Sequence, residues 1–590
     1  MLLRCFVWMH ILKNELTAGI SRLENKRMEE TRMKKKIVKL TALCMAAVLG
    51  LTACGQAAEN PPAADSAAEE NAAAETPDGS TQEAEKPAAK EESGGEKVVT
   101  LAATAAWMSM CPLTWVTKDA QIAFSYPVFD TLVNVNADGE ITPRLLQSWE
   151  QSEDGLTITG KVNPDAKWHD GEKVTANDIV FTYSMLSSSE VEAERTCRLI
   201  AGTDDAGIIT DANAFGIKAV DDETVEFTLK QPTTLLNFFY TFRFALVVPE
   251  HCLKDIPAAS LTSDPFWENP VGSGPFKFDS YISGERMEYT AFDEYYLGRP
   301  DFDRLIIRVI PANNILSAMM SGEVDSTVYG SLMSYNDYEL AKQDASMNTL
   351  EIPGFQNDHL FMDNEKYDAA FRVAVDHAID KQAIIDNLLH GYGQVAISAI
   401  YPDNPYRLEG IEGNAYDPEL AKEMLSQTTW DQDRDLVCLV QADQELRCNV
   451  AVMLQQMLAE VGINITVETG DMATISSRLM DGDYDFAIMG SASAPFEPSE
   501  SSGYFNVIPN GWTHMTDTSW TELYNRGLQG ATFEERCEPY YELQRRLVAE
   551  VPMAFLYHKD QLFAYNGRLT EVPFEDFSIK SWKYWEWKVQ

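Results

Sequence analysis

The sequence predicts a mixed α/β protein that is assembled from at least two lobes. Between residues 436 and 489, short apolar strands alternate with segments whose apolar residues recur at helical spacing, which is typical of a parallel sheet. Before residue 300, strands with alternating side-chain polarity are separated by glycine, Asp-Gly and Asp-Asp turns. The 590-residue chain is long enough for about three or four domains of roughly 150 residues each.

The composition is that of a folded but strongly acidic protein. Hydrophobic residues make up 45% of the chain and aromatic residues 10%, which is sufficient to build cores. The 47 Lys and Arg residues are outnumbered by 91 Asp and Glu residues, and the formal net charge is −44. Because binding to phosphate backbones requires clustered cationic side chains, this charge excludes a nucleic-acid binder of that kind.

The N-terminal segment has the pattern of a signal peptide, which we assign to residues 33–53. A basic stretch at 33–36 is followed by an apolar run from Leu40, which is shorter than the roughly 20 residues of a membrane-spanning helix. Residues 51–55 (LTACG) resemble the bacterial lipobox, so we expect lipidation at Cys54. Residues 1–32 precede a complete signal and are interpreted as a non-native extension. No later stretch is apolar enough to span a membrane.

Residues 54–97 are expected to form a lipidated cysteine followed by a disordered tether. The segment is rich in Ala, Glu, Pro and Ser and contains no aromatic residue, so it cannot bury a core. The six cysteines beyond Cys54 are widely separated and show no CxxC spacing, which argues against a zinc ribbon or a redox motif. Since Cys438 lies in a predicted strand and Cys448 in a predicted helix, we expect mostly buried free thiols.

The secondary structure of the remaining chain follows from periodicity and capping signals. Strands are predicted near 436–440, 463–467 and 486–489 with helices between them, and near 305–309 and 327 with a helix over 313–321. One helix is predicted to begin at Asp368 and to end at Gly391, and another to open at Asp417-Pro418. Thr175 and Asp178 predict a capping box. Further strands are predicted at 156–162, 225–229, 276–281 and 287–291.

Several segments resemble the family 5 extracellular solute-binding proteins, which bind oligopeptides, dipeptides or nickel for ABC importers. The most specific is 168–181 (WHDGEKVTANDIVF). The others follow in the family's order: 139–149 (GEITPRLLQSW), 271–276 (VGSGPF), 372–381 (RVAVDHAIDK), 416–422 (YDPELAK) and 482–486 (GDYDF). Together they cover nearly the whole body from about Val98 to Gln590.

Each suggestive motif also has a structural interpretation. His169 and Asp170 fit a turn held by Gly171 better than a catalytic pair, because no nucleophile lies nearby. Residues 272–275 lack the GK[ST] ending of a phosphate loop, and 391–396 follow a helix instead of the strand that a dinucleotide motif needs. Asp481, Asp483 and Asp485 resemble the start of a calcium loop, but Phe486 occupies its glycine position.

The resemblance implies a two-lobed fold like that of periplasmic binding proteins (type II, cluster C), with mixed sheets and an extra third subdomain. It implies a receptor, not an enzyme, that captures a peptide or peptide-like solute between its lobes and delivers it to an ABC permease with its ATPase subunits. We expect a monomer without cofactor or metal, lipid-anchored at the extracytoplasmic face of the cell membrane. The expected segments are lobe I at 98–140, 266–350 and 556–590, the extra subdomain at 141–265, and lobe II at 351–555.

Two alternatives remain open. The first is an exported, lipid-anchored hydrolase acting on peptides or cell-wall material, although no HExxH or GxSxG motif is present. The second is a nickel or metal-chelate binder of the same fold, for which His359, His377 and His390 could be proposed as ligands. Their placement along a helical region favours a structural role.

The candidate ligand-binding residues come from the resemblance and from their positions after predicted strands. They are Trp107, Met108, Phe355, Asn357, Phe496, Glu497 and Trp512. In the family's peptide binders an aspartate in the third lobe takes the peptide's α-amino group, and here that position falls at or next to Ala494. The missing carboxylate predicts either that Glu497 replaces it or that the ligand has no free α-amine there.

Overall fold

The structure is a computed structural model. It describes residues 96–105, 109–114, 123–191, 197–328, 333–492, 496, 498, 511–530, 532–575 and 582–590. Cys54, the signal segment and the tether lie outside the described residues, as do Trp107, Met108, Ala494 and Glu497.

The described residues form the strands β1 (Val98–Ala103), β2 (Val133–Val135), β3 (Ile141–Pro143), β4 (Leu146–Gln151), β5 (Thr157–Val162), β6 (Ile217–Asp221), β7 (Thr224–Thr228), β8 (Phe276–Ile282), β9 (Arg286–Ala291), β10 (Arg304–Val309), β11 (Ser326–Thr327), β12 (Met347–Met362), β13 (Gly393–Val395), β14 (Leu436–Gln441), β15 (Ile465–Gly470), β16 (Phe486–Ala492), β17 (Met553–Asn566), β18 (Leu569–Glu571) and β19 (Lys588–Val589).

The α-helices are α1 (Ala176–Leu186), α2 (Leu235–Thr241), α3 (Glu250–Leu253), α4 (Ala258–Leu261), α5 (Ile315–Met320), α6 (Tyr335–Ala341), α7 (Ala369–His377), α8 (Lys381–Leu388), α9 (Pro418–Leu425), α10 (Glu445–Glu460), α11 (Met472–Asp481), α12 (Ser519–Gln529) and α13 (Phe533–Glu550).

The first sheet has the strand order β11-β1-β10-β9-β8. Strand β1 pairs in parallel with both β10 and β11, and α5 connects these two strands, so the unit predicted near 305–327 is confirmed. The helix itself is shorter than predicted, because residues 312–314 form a 3₁₀ turn before it. A separate antiparallel sheet, β4-β5-β7-β6, packs against α1, whose predicted capping box between Thr175 and Asp178 is also confirmed.

The second sheet has the order β13-β17-β12-β16-β14-β15. Strand β14 pairs in parallel with β15 and β16, which confirms the parallel arrangement predicted for this region. Alternate residues of its strands face two cores. Leu360, Val440 and Ile488 pack on the side of α7, α8 and α10, whereas Phe361, Leu439 and Ala487 pack on the side of α11, α12 and α13.

The single helix predicted from Asp368 to Gly391 is wrong, because the chain forms two helices there. Asp368 caps α7 as expected, but its run ends at His377. The side chain of Asp380 then accepts a hydrogen bond from the N–H of Ala383 at 2.9 Å and starts α8. The buried ion pair between Lys381 and Asp376, at 2.8 Å, holds the two helices together across the break.

Strands β12 and β17 are long antiparallel partners that reach from the first sheet into the second. At one end, Asn566 N–H donates to Asp325 O and Ser326 Oγ to Ala564 O, which ties β17 to β11, with β12 paired alongside β17. At the other end they are central strands of the second sheet. Because β17 runs without a break from 553 to 566, it crosses the boundary predicted at 555/556, and the lobe boundaries stay predictions.

The pairing of β12 with β17 shifts register between Ile352 and Gln356, where the strands pass between lobes. A Cβ at Gly354 would lie 1.5 Å from Lys559 O, so the close approach of the two backbones requires glycine here. The N–H of Gly354 donates to Asp560 Oδ1 at 3.3 Å. Burial raises the pKa of this carboxyl to about 6, and the nearby charge of Glu351 adds to the rise.

Asp130 and Arg144 form an ion pair that is almost completely buried in the first lobe. The carboxylate also accepts hydrogen bonds from the hydroxyls of Tyr295, at 3.2 Å, and Tyr296, at 2.8 Å. The guanidinium lies 4.8 Å from the ring centroid of Trp585. This network therefore joins four distant parts of the chain.

The described residues also test the predictions about the cysteines and about membrane-spanning helices. All six cysteines from Cys111 onward are free, and Cys111, Cys197, Cys438 and Cys537 are buried, as predicted. Among the helices that the structure describes, none is both long and apolar enough to cross a membrane.

Replacing Arg144 with Met should leave the Asp130 carboxylate buried without its countercharge. We expect the free energy of unfolding to fall by about 3–5 kcal/mol, measured by denaturant unfolding. Lys167→Ala is the matched control, because it removes an exposed ion pair with Glu294. Unfolding of both variants at the same denaturant concentration would contradict the proposed importance of the buried pair.

Replacing Asp560 with Asn tests the pH dependence of the strand crossing. The folded-state pKa of Asp560 is raised from 3.8 to about 6, which means that the fold favours the neutral carboxyl over the carboxylate. The contribution of the neutral carboxyl to stability is present at low pH and is lost as the pH rises through 6. Asparagine can still accept the hydrogen bond from Gly354. The variant should therefore be more stable than wild type by about 1–2 kcal/mol near pH 7.5, and the difference should shrink towards about pH 4.

The exposed Asp165→Asn variant serves as the control for this experiment. If Asp560→Asn had the same effect on stability at both pH values, the assignment of the titration to Asp560 would be wrong.

Candidate functional site

The carboxyl ends of the parallel strands β14 and β16 point to the place where β12 and β17 cross between lobes. Gln441 ends β14, and Gly490 and Ser491 extend β16 beyond it, paired with Asp358 and Asn357 of β12. In open α/β sheets, ligands bind in the crevice at the carboxyl ends of the strands. This edge is therefore the place at which to look for a functional site.

A charged cluster built from three elements occupies this edge. Asp358, which is 1% exposed, accepts hydrogen bonds from Arg447 Nε at 3.0 Å and from the Tyr557 hydroxyl at 2.7 Å. Burial alone would raise the pKa of Asp358, but the charges of Arg447 and Lys559 hold it below its usual value. A Cβ at Gly490 would lie 1.9 Å from Arg447 Nη2, so glycine lets the guanidinium reach across β16.

Lys559 adds a second cation to the cluster. Its backbone pairs with Gln356 at the register shift, and its side chain is largely buried. Burial lowers the pKa of its ammonium, whereas the charge of Asp358 opposes that change. No hydrogen bond or ion pair joins this ammonium to another side chain or backbone group that the structure describes. With one carboxylate and two cations, the cluster has the electrostatics to accept an anionic or carbonyl group.

A cavity of about 350 Å³ lies beside the crossing strands and is lined from both lobes. This volume lies in the range of small-ligand sites. Its lining residues are Ala137, Asp138, Ile352, Pro353, Tyr401, Asp403, Pro405 and Phe496. The Phe496 ring, which follows β16, packs against Gly139 and lies 4.9 Å from the ring of Tyr240, so it contacts both the first segment of lobe I and the segment expected to form the extra subdomain.

Of the candidate ligand-binding residues that the structure describes, one lines the cavity and the others lie in strands or in a core. Phe496 lines the cavity, as its prediction as a ligand-binding residue requires, and its ligand contact stays a prediction. Asn357 is fully buried and its amide donates to Ser491 O at 3.4 Å, which braces β12 against β16. Trp512 packs edge-on against Phe361 in the core beside α11 to α13, with 6.2 Å between ring centroids. The backbone of Phe355 lies in β12.

The histidine at the start of the most specific motif holds a loop. The Gly272 N–H donates to His169 Nδ1 at 3.2 Å, and His169 Nε2 lies 3.0 Å from Gly274 O. Burial lowers the pKa of His169 to about 4. Gly171 closes the turn at φ +98°. These contacts agree with the interpretation of the motif as a turn.

The three histidines considered for nickel have separate partners. His359 Nδ1 lies 3.0 Å from Asn357 Oδ1, His377 Nδ1 lies 2.7 Å from Ala415 O, and His390 stacks on Tyr335. Within the part of the chain that the structure describes, they do not form a common group of metal ligands. Asp485 of the suspected calcium loop instead accepts hydrogen bonds from Tyr367 and Arg434.

Sequence reasoning missed Asp358, Arg447 and Lys559. They lie on β12, α10 and β17, and no spacing motif links them. The available signal was weak: charged residues at 358 and 559 stand beside apolar runs for which no strand is predicted above, and a glycine at 490 directly follows the strand predicted at 486–489.

Comparison with known proteins agrees with this architecture. The model of the family described as bacterial extracellular solute-binding proteins, family 5 Middle, matches residues 140–510. A Brucella ovis protein named as an ABC transporter peptide-binding protein is 32% identical over 357 residues, which cover 59% of this chain and 63% of the relative's length. The chain thus spans less than two thirds of that relative.

Solved structures show the fold. The ABC transporter substrate-binding protein CtaP from Listeria monocytogenes superposes with a TM-score of 0.72 at 21% identity, over 84% of this chain and all of CtaP. The oligopeptide-binding protein AppA from Bacillus subtilis, solved with a nonapeptide, gives a TM-score of 0.68 at 20% identity, over 84% of this chain and 99% of AppA. They confirm the predicted two-lobed binding-protein fold. Since the family model matches more than half of its residues, the chain belongs to the family 5 bacterial extracellular solute-binding proteins.

Proposed function

We propose that this protein is the receptor of an ABC importer, which captures a peptide or peptide-like solute between its lobes and delivers it to a membrane permease. The observation that carries the proposal is the strand crossing itself, which has a cavity lined by Ile352 and Pro353 on one stretch of β12 and the charged cluster of Asp358, Arg447 and Lys559 on the next. The peptide-binding names of the Brucella ovis and Bacillus subtilis relatives support the solute class.

The mechanism that follows is closure around the crossing strands. A solute that touches both lobes favours the closed arrangement by its differential affinity for that state. The contacts of Phe496 with Gly139 and Tyr240 already join the exit of β16 to the first segment of lobe I and to the segment expected to form the extra subdomain. In the described residues, β17 is hydrogen-bonded to the β11 region of the first sheet, and β12 is paired with β17. Bending of this strand pair at Gly354 and Asp560 is therefore the motion that the topology allows.

The charge of the cluster bears on the solute. A ligand carboxylate or carbonyl near Lys559 would add a second acceptor to an ammonium that now faces only the charge of Asp358 and whose pKa is lowered by burial, so binding there would stabilise the charged form. The replacement of the amine-binding aspartate near Ala494 also argues against recognition of the solute through a positively charged amine. We therefore infer a solute that is recognised less through a free α-amine than through an acceptor group.

The family is one of extracellular solute-binding proteins, and this supports a receptor that works outside the cytoplasm. The proposal is more specific: a monomer anchored through lipidated Cys54, with residues 54–97 as a tether at the extracytoplasmic face of the membrane. Incubating peptides with the purified protein and looking for hydrolysis separates the receptor from the hydrolase alternative. The receptor predicts that the peptides stay uncleaved.

Isothermal titration calorimetry with di- to hexapeptides, free and N-acetylated, tests the inferred solute chemistry. We expect acetylation to change the affinity little, because the aspartate that takes the α-amine in the family's peptide binders is replaced near Ala494. Lys559→Met should weaken binding by about tenfold or more, whereas Lys218→Met, which removes an exposed lysine of β6, should not.

A peptide that binds tightly and loses its affinity on acetylation would contradict the amine-independent mode. Equal affinities of wild type and Lys559→Met would contradict the role of the cation. Mass spectrometry of any solute retained on the purified protein would then identify the ligand directly.

Mass spectrometry of the mature protein tests the anchor. We expect an N-terminus at Cys54 that carries several acyl chains, because one chain alone binds a membrane only marginally. Cys54→Ser should be released from the membrane fraction. A mature protein that retains residues upstream of Cys54 would overturn both the lipidation and the predicted signal peptide.

A further inference from the structure

Outside the solute site, three side chains with different metal-ligand chemistry meet within residues 141–265, the segment expected to form the extra subdomain. A carboxylate oxygen of Asp170, Nε2 of His251 and Sγ of Cys252 all lie within 4.8 Å of one another. Asp170 belongs to the turn after Trp168, and the other two residues are neighbours on α3. No spacing motif could have predicted the group, because Asp170 and His251 are 81 positions apart.

The backbone around these residues is firmly held. Asp178 Oδ1 accepts the Glu250 N–H at 2.8 Å, which fixes the first residue of α3 to the start of α1. On the other side, the Glu172 N–H donates to Asp170 Oδ1 at 3.2 Å. The ring of His251 lies 6.1 Å from that of Trp168, which is completely buried. The three potential ligands are therefore brought together by packed elements and not by a long loop.

Two carboxylates, those of Asp170 and Asp178, lie close enough to the thiol of Cys252 to act on it. Burial raises the pKa of the half-buried Cys252 thiol, and the negative charges of Asp170 and Asp178 add to the rise. Burial would also raise the pKa of Asp170, but the hydrogen bond from His251 at 2.9 Å, together with a backbone N–H, holds it below its usual value. A divalent cation would neutralise the carboxylate and a thiolate together.

We propose that Asp170, His251 and Cys252 form a binding site for a borderline-soft divalent cation of the Zn²⁺ type. Thiolate and imidazole ligands favour such an ion over Ca²⁺ or Mg²⁺, which prefer oxygen ligands. Three protein ligands leave a fourth tetrahedral position for water. In tetrahedral coordination the donor atoms lie roughly 3.3–3.6 Å apart, so small side-chain rotations at this exposed place bring all three into range.

Binding has a defined proton balance. Cys252 releases its thiol proton and coordinates as thiolate. The hydrogen bond between His251 and Asp170 is exchanged for two metal bonds. To coordinate through Nε2, the neutral imidazole must carry its hydrogen on Nδ1, so a hydrogen on Nε2 moves to Nδ1 through solvent, and the thiol proton of Cys252 is the one released. The ion would link α3 to the turn whose His169 holds the loop at 272–274, and so would brace the entry to the first sheet.

Equilibrium dialysis of the full chain against Zn²⁺, followed by metal analysis, tests the proposal. We expect one tightly bound Zn²⁺ per chain, a rise in Tm on binding, and weaker binding at higher proton concentration. His251→Gln and Cys252→Ser should each weaken Zn²⁺ binding by about tenfold or more. Cys448→Ser is the matched control, since Cys448 is another half-buried thiol and its Sγ contacts Gln441 O at 3.5 Å.

A second measurement needs no variant. Zn²⁺ should slow alkylation of Cys252 in the wild-type protein but not that of Cys448, as mapped by mass spectrometry, and Co²⁺ should give a thiolate charge-transfer band that Cys252→Ser lacks. The proposal is overturned if wild type binds Zn²⁺ no more tightly than Cys252→Ser, or if Zn²⁺ leaves the alkylation of Cys252 unchanged.

Discussion

The structure depends on the crossing of two antiparallel strands between its lobes. β12 and β17 take part in the second sheet, and the far end of β17, with β12 paired beside it, is tied to β11 of the first. Their backbones approach so closely at Gly354 that no side chain fits there. Backbone polar groups that lose their strand partner at the register shift need another partner, and the Asp560 side chain accepts the hydrogen bond of the Gly354 N–H. The cavity and the charged cluster lie beside this crossing because side chains from both lobes converge there.

The motifs that carry the family resemblance are mostly structural. Arg144 neutralises buried Asp130, and His169 holds the loop at 272–274. Arg372 donates to the carbonyls of Glu550 and Val551 at the end of α13, where helix carbonyls lack intrahelical partners. Such residues preserve the scaffold whatever solute is bound. The chemistry of the solute is decided instead by side chains of the cleft, which the motifs do not include.

Much of the fold could be predicted because its signals are local. The strands around 438 and 488 and the helix between them follow from apolar periodicity and capping. The prediction failed at Asp380, because a side chain that caps a new helix interrupts a pattern that looks continuous. Of the candidate site, Phe496 was found at the cavity. Lys559 was not, since its importance arises from burial next to Asp358, and burial is not a property of sequence.

The sequence by itself determined the mixed α/β class, the export and lipidation pattern as a prediction, and the absence of familiar catalytic motifs. All of these depend on residues that are close along the chain. Only the tertiary structure decided which charges become neighbours. Asp358 meets Arg447 across 89 positions, and Asp170 meets His251 across 81. The physical reason is that electrostatic interactions depend on distance and burial in space, which sequence spacing encodes only within single helices, strands and turns.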